Sequence, residues 1–290
     1  MTSTQRARES IVAPPQRPAE SKPVPATIGV VAMAPGRGVR LFGLDLCDTT
    51  RDEAALSLVG RAMRGERSRV SFINAHCVNV MYRDAAYREA LQQSDGIFVD
   101  GSGMMIAARA AGITLRENLN GTDLFPVLCR RAAETGQGIY LFGGADGVAG
   151  EAGARMGRDI PGLRVSGSHH GYVGTAAAED EVIASINGSG ARIVLVGLGV
   201  PRQELWIARN HRRLEAPVLI GVGGLFDYYS GRIPRAPMLL RQSGLEWVWR
   251  MAMEPRRLAG RYLLGNAEFL IRLMRLRLAV PTAFDQRGLT

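Results

Sequence analysis

Hydrophobic positions along the middle of the chain fall into two alternating kinds of block. Short strand-like segments, most of them apolar runs, predict strands over residues 40–44, 70–74, 96–99, 138–142, 164–167, 192–197 and 218–222. Between them, apolar residues recur three and four apart over 51–64, 77–93, 122–135, 147–159 and 176–189, the spacing of helices with one buried stripe. The alternation predicts an α/β, Rossmann-like fold: a mostly parallel sheet with helices on both faces. Ligands in such folds bind beyond the carboxyl ends of the strands.

The flanks differ from this core. Residues 1–38 are rich in Pro, Arg and Ser, and Pro14, Pro15, Pro18, Pro23 and Pro25 predict a disordered tail. The α/β core is expected over 39–231. Residues 232–290 read as a helical, arginine-rich appendage, with ten arginines against three glutamates between Arg232 and Arg277. Most of the net charge of +9 therefore sits there. Lys22 is the only lysine, so the basic field is almost wholly guanidinium, and such a field attracts phosphorylated ligands, anionic lipid or nucleic acid.

Several classes are disfavoured. Cys47, Cys77 and Cys129 lack CxxC spacing, and no HExxH pattern occurs, so neither a disulfide framework nor a protein-bound metal is expected. No apolar run is long enough to span a bilayer and the N-terminus lacks a secretory apolar region, which predicts a cytoplasmic protein with membrane-surface association open.

Polar residues gather at the predicted strand ends. Gly197-Leu198-Gly199-Val200-Pro201-Arg202-Gln203-Glu204 follows one strand and opens a helix; its glycines admit a ligand to the backbone, and the helix start offers free N–H groups to an anion. Asp100, before Gly101-Ser102-Gly103, either caps the next helix or acts as a general base. Asn74 ends the preceding strand, as a turn former or as a partner of Asp100; His76 and Cys77 beside it lack the third member of a nucleophilic set. Thr122 or Asp123 is expected to cap the helix after Asn120-Gly121, with donation from the same helix N-terminus to a ligand phosphate as the alternative. Tyr172, after His169-His170-Gly171, either borders a base or merely packs, and Asp227 either accepts from a ring N–H or is structural. Arg257 and Arg261, four apart on one helix face, together with Arg250 form a group suited to a diphosphate, with solvated surface charge as the alternative.

In order and spacing these residues resemble the bacterial WecG/TagA/CpsF glycosyltransferases (glycosyltransferase family 26). The likeness runs from about Phe42 to Phe269 and rests on Val99-Asp100-Gly101-x-Gly103, Asn120-Gly121-x-Asp123-Leu124, His169-His170-Gly171-Tyr172, Gly197-Leu198-Gly199-x-Pro201-x-Gln203-Glu204, Gly221-Val222-Gly223-Gly224-x-Phe226-Asp227 and Glu254-Pro255-x-Arg257-Leu258-x-x-Arg261-Tyr262. The resemblance implies a metal-independent, cofactor-free, inverting transfer of a sugar from a UDP-sugar to an undecaprenyl-diphosphate-linked saccharide. Asp100 would be the general base. Asn74, Gly101 and Gln203 would serve the donor, Tyr172 and Asp227 the uracil. Arg250, Arg257 and Arg261 would neutralise the departing UDP. Asn118 stands where many members have arginine, and Phe72 where they have threonine. Both positions are associated with donor handling, so the branch resembling GumM, in exopolysaccharide synthesis, stands beside the N-acetylmannosamine-transferring branch. The lipid-linked acceptor would bring the appendage to the anionic inner leaflet, with Leu270, Leu273 and Leu276 sunk below the head groups. Homo-oligomerisation is left open.

Three rival classes compete with this reading. A nucleic-acid-binding protein fits the charge, but the arginines are interleaved with long apolar side chains and no reading motif occurs. A dinucleotide-dependent oxidoreductase lacks the GxGxxG fingerprint after the strand at 138–142. A non-catalytic scaffold is the third.

Overall fold

The structure, a computed structural model, describes residues 29–33 and 36–279; the expected tail as far as residue 28 lies outside them. Nine strands form one sheet: β1 (Gly29–Met33), β2 (Gly36–Leu41), β3 (Leu44–Asp48), β4 (Ser68–Ile73), β5 (Gly96–Val99), β6 (Ile139–Gly143), β7 (Val165–His169), β8 (Ile193–Gly197) and β9 (Val218–Gly221). Their order is β1-β2-β3-β5-β4-β9-β8-β6-β7. Everything from β3 to β7 across the sheet is parallel, and β1-β2-β3 is an antiparallel meander along one edge. Expectation and structure thus agree on an α/β fold with a mostly parallel sheet.

The meander corrects two expectations. Strand structure starts at Gly29, inside the stretch read as tail, and the run at 40–44 is not one strand: Arg40 and Leu41 end β2, Phe42 and Gly43 form a turn, and Leu44 opens β3. Phe42 and Gly43 both have positive φ, 55° and 74°, which is the twist of a two-residue hairpin turn. A phenylalanine is costly there, but its ring is buried and lies 5.7 Å from the ring of Phe269.

The helices are α1 (Arg51–Arg64), α2 (Ala75–Arg83), α3 (Ala85–Gln92), α4 (Ser102–Ala110), α5 (Gly121–Glu134), α6 (Val148–Asp159), α7 (Ala176–Gly188), α8 (Arg202–Asn210), α9 (Leu225–Tyr229), α10 (Met238–Gln242), α11 (Glu246–Met253) and α12 (Pro255–Ala279). The single helix expected over 77–93 is broken at Asp84, whose side chain caps α3 by accepting from Tyr87 N at 3.0 Å. Alternate strand residues feed opposite cores. Ile193 and Leu195 pack with α1, α5, α6 and α9, whereas Val194 and Val196 pack with α7 and α8. That two-sided burial is why the strands read as continuous apolar runs.

The appendage is docked on this core. Phe269, Leu273 and Leu276 of α12 are buried with α2, α3 and α4. Asn79 donates to Gly265 O at 2.7 Å and accepts from Arg272 Nε at 3.2 Å, and the Arg272 guanidinium lies 4.1 Å from the centre of the Tyr82 ring. Leu273 and Leu276 therefore belong to the protein core, not to a lipid face as expected. The exposed apolar side chains of α12 are Leu263, Leu264, Leu270, Ile271 and Met274, on the opposite side of the helix. No described helix is long and apolar enough to cross a membrane.

Candidate active site

The carboxyl ends of β4, β5, β8 and β9 open into a cleft of about 770 Å³, roofed by α11 and α12. Parallel pairing carries Ile73 beside Val99, so the next residues, Asn74 and Asp100, emerge as neighbours at the crest. Asp100 N donates to Ile73 O at 2.8 Å. Asn74 does two things at once. Its Oδ1 caps α2 by accepting from Cys77 N, and its Nδ2 donates to Asp100 Oδ2, both at 3.1 Å. Asn74 is thus the expected partner of Asp100, and in place of the turn former that was the alternative it is the N-cap of α2.

Asp100 is not a helix cap. The N-cap of α4 is Gly101, at φ 90°, without a side-chain cap bond. Gly101 N instead donates to Asn118 Oδ1 at 2.7 Å. Asp100 is thereby set at the lip of the cleft, with Asn74 on one side and the Asn118-held loop on the other. Cys77 borders the cleft but is buried, its thiol 3.7 Å from Phe72 O.

The wall opposite is built from glycines. Gly143 packs so closely on Gly197 that a Cβ would collide with the Gly197 carbonyl. Gln203 lines the cleft but is only 3% exposed. Its Oε1 accepts from Gly223 N and its Nε2 donates to Glu204 Oε1, both at 2.8 Å, so its amide is engaged by protein. Glu204 is equally buried, and burial pushes its carboxyl up to about 7 against the hydrogen bond from Gln203. Asp227, in the first turn of α9, also faces the cleft. Tyr172 does not. It is 70% exposed and absent from the cleft wall, although its neighbour Gly171 donates to Gly144 O at 2.8 Å.

From the appendage, α11 sends Glu246 and Arg250 into the cleft, four residues apart on one face. Arg250 lies 5.2 Å from the centre of the Tyr228 ring and over Gly224, where a Cβ would come within 2.5 Å of its Nη2. Its Nε is buried without a hydrogen-bond partner in the structure. Burial pushes the Tyr228 hydroxyl up to about 12, although the Arg250 charge opposes this. Arg257 and Arg261 lie on α12, but their side chains fall outside the described residues.

A charged wall that sequence reading left unassigned completes the site. Arg51 pairs with Glu117, and Arg235 with Asp123; Arg241 approaches Asp123, and Arg235 approaches Glu246, each at 4.0 Å. Burial works against the charge on Asp123, but hydrogen bonds from Asn120 and Arg235 and the charges of Arg235 and Arg51 hold its carboxyl below the usual range. Burial raises Glu246, with Arg235 opposing and Asp123 and Asp100 adding to the rise. The expected cap at Thr122 or Asp123 is supplied instead by Asn120, whose Oδ1 accepts from Asp123 N at 2.7 Å. Arg241 of α10 thus reaches Asp123 of α5 directly, and Glu246 of α11 reaches it through Arg235, which ties this part of the roof to the core. Among the described residues no group of three or more His, Cys, Asp or Glu is disposed to hold a metal ion.

Comparison with known proteins places the chain among glycosyltransferases. The chain is 33% identical over 171 residues to an N-acetylglucosaminyldiphosphoundecaprenol N-acetyl-beta-D-mannosaminyltransferase of Bacillus spizizenii. That alignment covers 59% of this chain and 65% of the relative, just under two thirds of its length. Residues 39–282, which hold every strand from β3 onward, the crest carrying Asp100 and all of the appendage described, match a single family. The chain belongs to the glycosyl transferase WecG/TagA/CpsF family.

Proposed function

We infer that this chain is an inverting glycosyltransferase that moves a sugar from a UDP-sugar to an undecaprenyl-diphosphate-linked saccharide in surface-polysaccharide or exopolysaccharide synthesis. One observation carries the reading. The Asp100 carboxylate, oriented by Asn74, shares a cleft with the glycine wall of β8 and β9 and with Arg250. Asp100 takes the proton of the acceptor hydroxyl as that oxygen bonds to the donor's anomeric carbon. The bond from that carbon to the UDP oxygen breaks in the same displacement, inverting the centre. Arg250 meets the charge developing on the departing diphosphate, helped by Arg257 and Arg261, so the reaction needs no divalent cation. Asp227 serves the uracil end. Gln203 acts by holding the wall rather than by direct contact.

The donor has two readings. The relative's name favours N-acetylmannosamine. Phe72 and Asn118, which depart from the family's pattern, both line the cleft and favour a different hexose. The exposed apolar row of α12 suits the inner face of the cell membrane, where a lipid-linked acceptor resides, and Leu270 belongs both to that row and to the cleft wall. The test is to incubate the purified chain with a panel of UDP-sugars and a short-chain polyprenyl-diphosphate-linked N-acetylglucosamine, then weigh the lipid product by mass spectrometry. One donor should add one sugar mass without added metal. No transfer from any UDP-sugar, together with no UDP binding by calorimetry, overturns the reading.

A further inference from the structure

The geometry points to Glu204 as a positioning residue: it fixes the orientation of the Gln203 amide, and through it the 221–224 loop that carries the nucleotide end of the cleft. This rests on the cleft being a nucleotide-sugar site. An acidic residue in the first turn of a helix commonly faces solvent and complements the helix dipole. Glu204 does not. It is 3% exposed, its Oε2 has no hydrogen-bond partner in the structure, and its Oε1 accepts from Gln203 Nε2 at 2.8 Å. A carboxyl buried with so little satisfaction costs stability, so packing does not explain it.

The hydrogen-bond directions supply an explanation. Gly223 N is a donor, so the Gln203 atom 2.8 Å away must be the oxygen. Gln203 Nε2 must then face residue 204, which has to offer an acceptor. An apolar side chain at 204 would strand that NH₂ group in the interior, so the amide would turn out of its seat toward another acceptor and withdraw Oε1 from Gly223 N. There is no slack to absorb this: a Cβ on Gly221 would sit 2.9 Å from Gln203 Nε2. Gly223 has φ 59°, and the next residue, Gly224, lies under the Arg250 guanidinium. Asp227 follows one turn later. A turned amide at 203 therefore displaces the seats of both Arg250 and Asp227.

The test compares Glu204→Gln with Glu204→Met in the full chain, measuring the UDP dissociation constant by calorimetry, KM and kcat for the donor, and Tm. Glutamine still offers an acceptor and should stay within about threefold of the parent in UDP affinity. Methionine should weaken UDP binding and raise donor KM by about tenfold or more while Tm holds or rises, because an apolar residue replaces a poorly satisfied carboxyl. Parent-like UDP affinity in folded Glu204→Met overturns the inference, as does equal loss in both variants. If the methionine variant does not fold, hydrogen exchange at the Gly223 amide decides: protection in Glu204→Gln should match the parent, and its loss refutes the brace. Should the parent itself bind no UDP, the nucleotide reading fails. Gly223 exchange in Glu204→Met would still decide the brace by itself, unprotected supporting it and protected overturning it.

Discussion

Replacing Glu204 by glutamine should flatten the pH dependence of stability. In the unfolded chain this carboxyl ionises around its ordinary 4.5, whereas in the folded chain burial moves that point to about 7. Between the two, the unfolded chain has released the proton that the folded chain retains, so unfolding becomes easier as pH rises. Below the lower value both states are protonated and no penalty exists; above the upper value the penalty is complete. The interval corresponds to about 3 kcal/mol, counting roughly 1.36 kcal/mol per pH unit over the shift from 4.5 to about 7. Urea unfolding of parent and Glu204→Gln from pH 4.5 to 8 measures it. The difference between the two stability curves should change by about 3 kcal/mol across that range, with glutamine gaining on the parent as pH rises. Subtracting the curves cancels other groups, such as Glu53, which hydrogen bonds from Arg116 hold down at about 2. Parallel curves would show that Glu204 titrates normally, and the close burial argued for it would be wrong.

Asn74 can be separated into its two duties. Asn74→Ala should cost about 1 kcal/mol of stability for the lost cap of α2 and lower kcat about tenfold or more for the lost bond to Asp100, whereas Asn74→Asp should keep the cap and still lower kcat, as denaturation and steady-state kinetics would show. Phe269→Ala should destabilise the chain by about 3–5 kcal/mol, because it opens a cavity between α12, the β2–β3 turn and α4; thermal or urea unfolding checks this.

The sequence made the repeating architecture and the crest legible. Every strand from β4 to β9 lies within two residues of its predicted position; burial on both faces writes an apolar run into the central strands, whereas β7, Val-Ser-Gly-Ser-His at the sheet edge, carries no such run. Asp100, Asn74, Gly101, Gln203 and Asp227 were found at strand or helix ends and do line one cleft. The failures have local causes. Phe42 lacks the side-chain type that usually marks a left-handed turn, and its long-range contact with Phe269 stabilises a conformation no neighbouring residue announces. Tyr172 follows a strand at the correct sheet edge, yet the direction of the loop beyond it is not written in periodicity. On α12 two apolar faces coexist, and sequence could not tell the one packed on the core from the one left exposed. Glu204 looks like an ordinary first-turn acid, and only the packing of α8 against the sheet reveals its burial. The charged wall of Arg51, Asp123, Arg235 and Glu246 joins segments far apart in the chain, so although Asp123 stands in a sequence motif its pairing with Arg235 is not written in spacing.

Asp100→Asn is the decisive variant, since asparagine keeps the shape of the side chain and its hydrogen-bonding reach but cannot take a proton from an acceptor hydroxyl. Turnover at saturating donor and acceptor should fall by about 10²–10⁴, while UDP affinity by calorimetry stays within about twofold. Turnover that survives this change would remove Asp100 from the chemistry and, with it, the single-displacement mechanism built around the β5 crest.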